Sequence, residues 1–313
     1  MPLQSLEPRV HFAVHTAAGT AGADLVTFER SGASGLRLTV RAKLHWVDLR
    51  TTDRIDLNLG AGNDVVRWIG APVNGVRLKI DAGAGDDQLA GSPGNDTLLG
   101  GDGRDYIDDM AGNDSTDGGA GDDYLLIGAG RDTVYGSAGN DRIESRPPHE
   151  KFTASVFGGD GHDVVRLAWG AADARGGAGN DKITAARPST LGGDGGNDTL
   201  TAGAAGSTLA GGDGNDSLVG GAGDDLIYAD NGNDVLRGNT GNDTLWGGPG
   251  NDVLSGGLGR DVFRGGPGDD QIRSIDGLFA EHVDAGPGTD VVYADRDANA
   301  VIRDRLSSAE RTI

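Results

Sequence analysis

The chain has 313 residues with 57 glycines, no cysteine, and 48 acidic against 27 basic side chains, giving a formal charge of -21. That charge excludes a nucleic-acid or anionic-membrane partner held by electrostatics and favours cations instead. The lack of cysteine excludes disulfide and thiolate-metal crosslinks, and no apolar run reaches the ~18 residues of a transmembrane segment. Aromatic residues make up only 5%, too few for one broad globular core, so a thin, elongated core is expected.

At the N-terminus, His11 and His15 interrupt the apolar run and Arg9 is the only basic residue among the first twenty, which makes a poor secretory signal. Alternation in Leu36-Arg37-Leu38-Thr39-Val40, Ile55-Asp56-Leu57-Asn58-Leu59 and Val76-Arg77-Leu78-Lys79-Ile80 predicts β strands. We read residues 1–81 as an N-terminal β cap built of wider coils that continue into a solenoid. Within it, Leu59-Gly60-Ala61-Gly62-Asn63-Asp64-Val65-Val66 already carries one copy of the repeat that follows.

Residues 82–273 are dominated by a nonapeptide, shown by Gly100-Gly101-Asp102-Gly103-Arg104-Asp105-Tyr106-Ile107-Asp108: Gly-Gly-x-Gly-x-Asp-x-apolar-x. Its sixth position gives Asp87, Asp96, Asp105, Asp114, Asp123, Asp132 and Asp141 in one run, and Asp216, Asp225, Asp234, Asp243, Asp252, Asp261 and Asp270 in another. Asp163, Asp181 and Asp198 bridge the two. The eighth position is Leu89, Leu98, Ile107, Leu125, Val134 and Ile143, then Leu218, Ile227, Leu236, Leu245, Leu254, Phe263 and Ile272, with Thr116 the polar exception.

Positions seven to nine read as a short strand with its middle side chain inward, and positions one to six as a turn in which glycine supplies positive φ and close approach. Two repeats then make one turn of a flattened right-handed solenoid, and residues eighteen apart stack at about 4.8 Å. The expected fold is all-β, a right-handed parallel β-roll with caps at both ends; residues 274–313 form a loosened last coil and the C-terminal cap. Each edge carries a row of carboxylates. At an effective dielectric near 20, neighbours about 4.8 Å apart repel by about 3 kcal/mol, so a divalent ion between turns should stabilise the stack. Hard oxygen donors favour Ca²⁺ over Mg²⁺, which gives up its water reluctantly.

The nonapeptide resembles that of the RTX (repeats in toxin), or hemolysin-type, calcium-binding family. The resemblance implies that each ion lies between two turns of one edge, held by backbone carbonyls and by the sixth-position aspartates named above, with about a dozen Ca²⁺ per chain. It also implies a secreted, extracellular protein, which we expect to be a monomer with a cell-surface or polysaccharide partner; the alternatives are an adhesin or carbohydrate-binding surface protein built on the same roll, or a non-catalytic remnant of an enzyme of that family. Leu6-Glu7-Pro8-Arg9 resembles a motif near the N-termini of some bacterial secreted repeat proteins, and Glu310-Arg311-Thr312-Ile313 faintly resembles a type I secretion tail.

Phase alone predicts an asymmetry. Asp87, Asp105, Asp123, Asp141, Asp163, Asp181, Asp198, Asp216, Asp234, Asp252 and Asp270 form an unbroken row, given a four-residue insertion near Arg146-Pro147-Pro148-His149 and a one-residue deletion before Asp198. On the other edge the sixth positions between Asp132 and Asp225 fall on Ala154, Ala172, Ser189 and Ser207, so calcium is expected there only near the ends. The chain has no His-Glu-x-x-His and no Gly-x-Ser-x-Gly, and the expectation is a non-enzyme. At position nine, Tyr135 and Phe157, then Tyr228 and Trp246, form an aromatic stripe that could lie against sugar rings.

Overall fold

The computed structural model describes residues 22–31, 35–40, 43–48, 54–69, 72, 74, 76–146, 152–203, 205–274, 281–294, 305–306 and 311–312. They form two sheets of 14 and 17 strands, and there is no helix among the described residues. Successive strands along the repeats go to alternate sheets, so each strand lies parallel beside the one a full coil later. Thr97–Asp102, for instance, pairs with Ser115–Ala120 with Leu98 level with Thr116. The chain is thus a parallel β-solenoid.

Period-two alternation explains what fills it. Positions six, eight and one of the next repeat lie two residues apart and share the inner face, as Asp96, Leu98 and Gly100 do, all buried. The eighth positions form a ladder one side chain thick: Leu98, Ile107, Leu125, Val134, Ile143 and Val156 are at most 1% exposed. Thr116, the polar exception, is inside as well, at 2%. Strand pairing is more extensive than the expected three residues. Thr97–Asp102 and Ser217–Ala222 run on through the first three positions of the next repeat, because those glycines allow the backbones of adjacent coils to keep their ladder.

Turn glycines are also fixed by stacking. Gly103 has φ 133, and a Cβ on it would collide with the Gly85 carbonyl of the coil below.

The first strands depart from the expected coils. β1 (Leu25–Ser31) lies parallel to β5 (Val65–Ile69), but β2 (Gly35–Val40) and β3 (Lys43–Asp48) follow it as an antiparallel meander. The parallel array of the second sheet begins at β4 (Arg54–Ala61), paired with Arg77–Ala84. Alternation in Leu36–Val40 specified a strand, yet it carries no information on strand direction.

Both sheets run unbroken past the insertion. Gly130–Ala138 pairs with Phe152–Asp160, and Arg142–Ser145 with Val164–Leu167. Residues 147–151 lie outside the described residues, as do the Leu6-Glu7-Pro8-Arg9 motif, His11, His15 and Glu310. The deletion is absorbed in the turn, since Lys182 pairs level with Thr199. At the other end Arg305–Leu306 pairs with His282–Asp284 and Arg311–Thr312 with Val291–Ala294, which extends both sheets almost to the last residue.

Candidate metal centre

The sixth-position aspartates stand in two rows of buried carboxylates. On the first edge each Oδ1 accepts a hydrogen bond from the backbone N–H of the aspartate one coil earlier. Asp87 donates to Asp105 at 2.8 Å, Asp105 to Asp123 at 2.7 Å, and the series continues through Asp141, Asp163, Asp181, Asp198, Asp216, Asp234 and Asp252 to Asp270. The insertion and the deletion leave it intact: Asp141 reaches Asp163 across 22 residues and Asp181 reaches Asp198 across 17, both at 2.7 Å.

The second edge repeats this at its two ends. Asp96 donates to Asp114 at 2.7 Å and Asp114 to Asp132 at 3.0 Å; Asp225 donates to Asp243 and Asp243 to Asp261, both at 2.8 Å.

The other carboxylate oxygen is the chemically active one. Oδ2 of Asp87, Asp105, Asp114, Asp123, Asp132, Asp141, Asp163, Asp181, Asp198, Asp216, Asp225, Asp234, Asp243, Asp252 and Asp270 is buried and meets no hydrogen-bond donor. A buried anion without a donor is costly, and the great majority of such atoms in folded proteins have a partner. Where the first position of the turn is glycine, Oδ2 faces it; in the turns of Asp87, Asp114, Asp132 and Asp234 that position is Ala82, Asp109, Ile127 and Ala229 instead. A Cβ on Gly100, Gly136, Gly158 or Gly193 would collide with Oδ2 of Asp105, Asp141, Asp163 or Asp198 and with the carbonyl oxygen of Gly118, Gly158, Gly176 or Gly211 one coil later. Anionic and carbonyl oxygens therefore converge where the glycine leaves room, a donor set suited to a hard divalent cation. Calcium bound there would cancel the charge and tie one coil to the next.

Electrostatics point the same way, with one correction. Burial, more than repulsion between neighbours, raises these carboxyls: Asp114 to about 8, Asp87, Asp123, Asp198, Asp243 and Asp252 to about 7, and Asp96, Asp132, Asp141, Asp163, Asp181, Asp234 and Asp270 to about 6. The hydrogen bond that a backbone N–H donates to Oδ1 opposes the rise, while stacked neighbours such as Asp105 and Asp141 around Asp123 add to it.

In the middle of the second edge the carboxylates give way to other chemistry. Asp132 stands level with Ala154, and Ala154 with Ala172. Beyond them the amide of Ser189 meets the Ser207 hydroxyl at 3.3 Å. The first positions there are apolar as well: Leu167, Ala185 and Ala202 are buried at 1%, 1% and 5%, and Ile127, in the turn of Asp132 just before the gap, is buried too, whereas Gly91, Gly220, Gly238 and Gly256 hold this position in other turns of the edge. Where carboxylate and first-position glycine are both missing, apolar side chains occupy the space that they frame elsewhere.

Three acidic residues of the site were not among the sequence candidates, and two of them extend a row. Asp64 donates its N–H to Asp87 at 2.6 Å, and Asp290 accepts from Asp270 at 3.0 Å, so the first row extends at both ends. Gly60-Ala61-Gly62-Asn63-Asp64 and Gly286-Pro287-Gly288-Thr289-Asp290 spell the turn and could have shown both. Asp109 is the third; it stands at a first position, where the repeat calls for glycine, and no phase argument on sixth positions finds it.

Comparison with known families agrees with this geometry. The model of the RTX calcium-binding nonapeptide repeat matches residues 79–98, 90–125, 128–145, 168–187, 192–227, 202–236, 210–245 and 237–272. These segments cover more than half of the chain, which belongs to the RTX calcium-binding repeat family. It is a calcium-binding repeat protein folded as a β-solenoid. Among curated proteins, none matches the chain.

Proposed function

We propose that the protein is a non-catalytic, extracellular scaffold whose roll is ordered by calcium. The observation that carries this reading is the row of buried Oδ2 atoms that meet no donor and face glycines and stacked carbonyls. Leaving so many carboxylates buried without compensation opposes folding, and an ion that binds the folded roll alone shifts the balance toward it. Extracellular modules bind Ca²⁺ at roughly 10⁻⁴ to 10⁻³ M, far above cytosolic levels, which would keep the chain unfolded until it leaves the cell. Among the described residues no helix is long and apolar enough to cross a membrane, which accords with a secreted chain. Equilibrium dialysis against Ca²⁺ tests the reading: on the order of a dozen ions per chain supports it, and one or two ions per chain contradicts it.

A second reading adds a carbohydrate ligand. An open groove of about 700 Å³ runs along the second edge from Asp132 across the turns of Ala154, Ala172, Ser189 and Ser207, lined by hydroxyls such as those of Thr133, Thr153, Ser155, Thr190 and Thr208 and by Asp173. Next to Thr133 and Ser155 in the sheet, Tyr135 and Phe157 stack with centroids 5.1 Å apart, and Tyr135 is 40% exposed. Hydroxyls beside aromatic rings suit sugar recognition. Retention on polysaccharide columns that is lost on Tyr135→Ala supports this role, and equal retention contradicts it.

A further inference from the structure

We propose that Asp109, Asp114 and Asp132 form a three-carboxylate metal site that binds Ca²⁺ more tightly than the other sites of the roll and fills first. The inference rests on the calcium-roll reading and adds to it a residue that the repeat does not supply. Asp109 occupies the first position of its turn, the place held by Gly91 one coil earlier and by Gly100 on the opposite edge. Its side chain is 1% exposed. Oδ1 accepts the N–H of Gly128 at 2.6 Å, which fixes the carboxylate toward the next coil, while Oδ2 is buried and meets no donor.

One oxygen from each of Asp109, Asp114 and Asp132 lies within 4.8 Å of one from each of the others. That limit falls inside the roughly 4.6–5.2 Å spanned by two Ca²⁺–oxygen bonds of about 2.3–2.6 Å each. Oδ2 of Asp114 and of Asp132 likewise meets no donor. Asp108 beside them is engaged by Arg146 at 2.9 Å, so that arginine is spent on a neighbour and does not neutralise the three.

Elsewhere along the carboxylate rows the geometry offers two stacked carboxylates per inter-turn space, one from each sixth position. Here there are three around one point. Affinity for Ca²⁺ rises with the number of charged ligands, and the fold has already brought these three together, so their repulsion is present before the ion arrives. A net negative charge left after one Ca²⁺ binds also favours a trivalent ion of similar size.

The experiment is calorimetric titration of the full chain with Ca²⁺, and separately with La³⁺, for the wild type, Asp109→Asn and Asp109→Gly. Asp109→Gly restores the residue that the repeat has at this position, and circular dichroism at saturating Ca²⁺ checks that both variants keep the roll. In the wild type one site should fill ahead of the rest, about tenfold tighter or more, and one La³⁺ should displace Ca²⁺ from it first. Both variants should lose that leading phase while the remaining isotherm is unchanged. Wild-type and variant isotherms that superimpose, or variants that bind more tightly, would overturn the proposal while leaving the calcium roll standing. A wild type that binds no Ca²⁺ would overturn both.

Discussion

The amide of Ala172 donates to the hydroxyl of Ser189 at 3.3 Å, at a place in the second edge where Asp96 donates to the Asp114 carboxylate at 2.7 Å. A serine hydroxyl can cap a backbone amide, but it brings no negative charge for an ion. With Leu167, Ala185 and Ala202 filling the adjacent first positions, these coils hold together by apolar contact. Anomalous scattering from crystals grown in calcium should therefore show ions along the whole first edge and only toward the ends of the second. Well-occupied ions beside Ala172 and Ser207 would contradict this.

The two adjacent glycines 192 and 193 should respond differently to a methyl group. A Cβ on Gly192 meets nothing closer than 3.6 Å, whereas one on Gly193 collides with Asp198 Oδ2 and the Gly211 carbonyl. Gly192→Ala should change the stability of the calcium form by less than about 1 kcal/mol. Gly193→Ala should lower it by about 1–3 kcal/mol through overpacking and weaken calcium binding. Urea unfolding at fixed Ca²⁺ measures both, and equal effects would show that the cradle is not where we place it.

The thin core makes each rung count. Leu218 is fully buried, stacked level with Leu200 and Leu236. Leu218→Ala should cost about 2–5 kcal/mol in urea unfolding at saturating Ca²⁺, whereas a loss under about 1 kcal/mol would mean that the coils close over the gap.

Acid should stabilise the metal-free roll. The folded carboxyls lie at about 6 to 8 where Asp96, Asp123 and Asp114 are concerned, above the ordinary aspartate value near 3.9 in an unfolded chain. A folded value raised above the unfolded one contributes stability that is complete below about pH 4 and is lost as pH rises through about 6 to 8. In chelator, β structure by circular dichroism should therefore increase as pH falls from 8 toward 4.5. Calcium competes with these protons, so its binding near pH 6.5 should release protons into the buffer. Loss of β structure on the same acidification would contradict the burial of these carboxylates.

What the sequence made legible follows from periodicity. Asp96, Leu98 and Gly100 share one face because they lie two residues apart, so the phase of the nonapeptide foretold the rows, the ladder and the gap at Ala172. Strand direction was not legible in Leu36–Val40, because alternation is the same in parallel and antiparallel strands. Asp109 was hidden for a different reason. In sequence it looks like a decayed glycine, and only the fold brings its carboxylate next to Asp114 and Asp132.

The most direct test of calcium-driven folding is far-ultraviolet circular dichroism of the purified chain at pH 7.5, recorded in chelator, then through a Ca²⁺ titration, then in excess chelator again. The account predicts little β structure at first, a cooperative gain as Ca²⁺ reaches roughly 10⁻⁴ to 10⁻³ M, and reversal on chelation. Equal β content with chelator and with saturating calcium would contradict it.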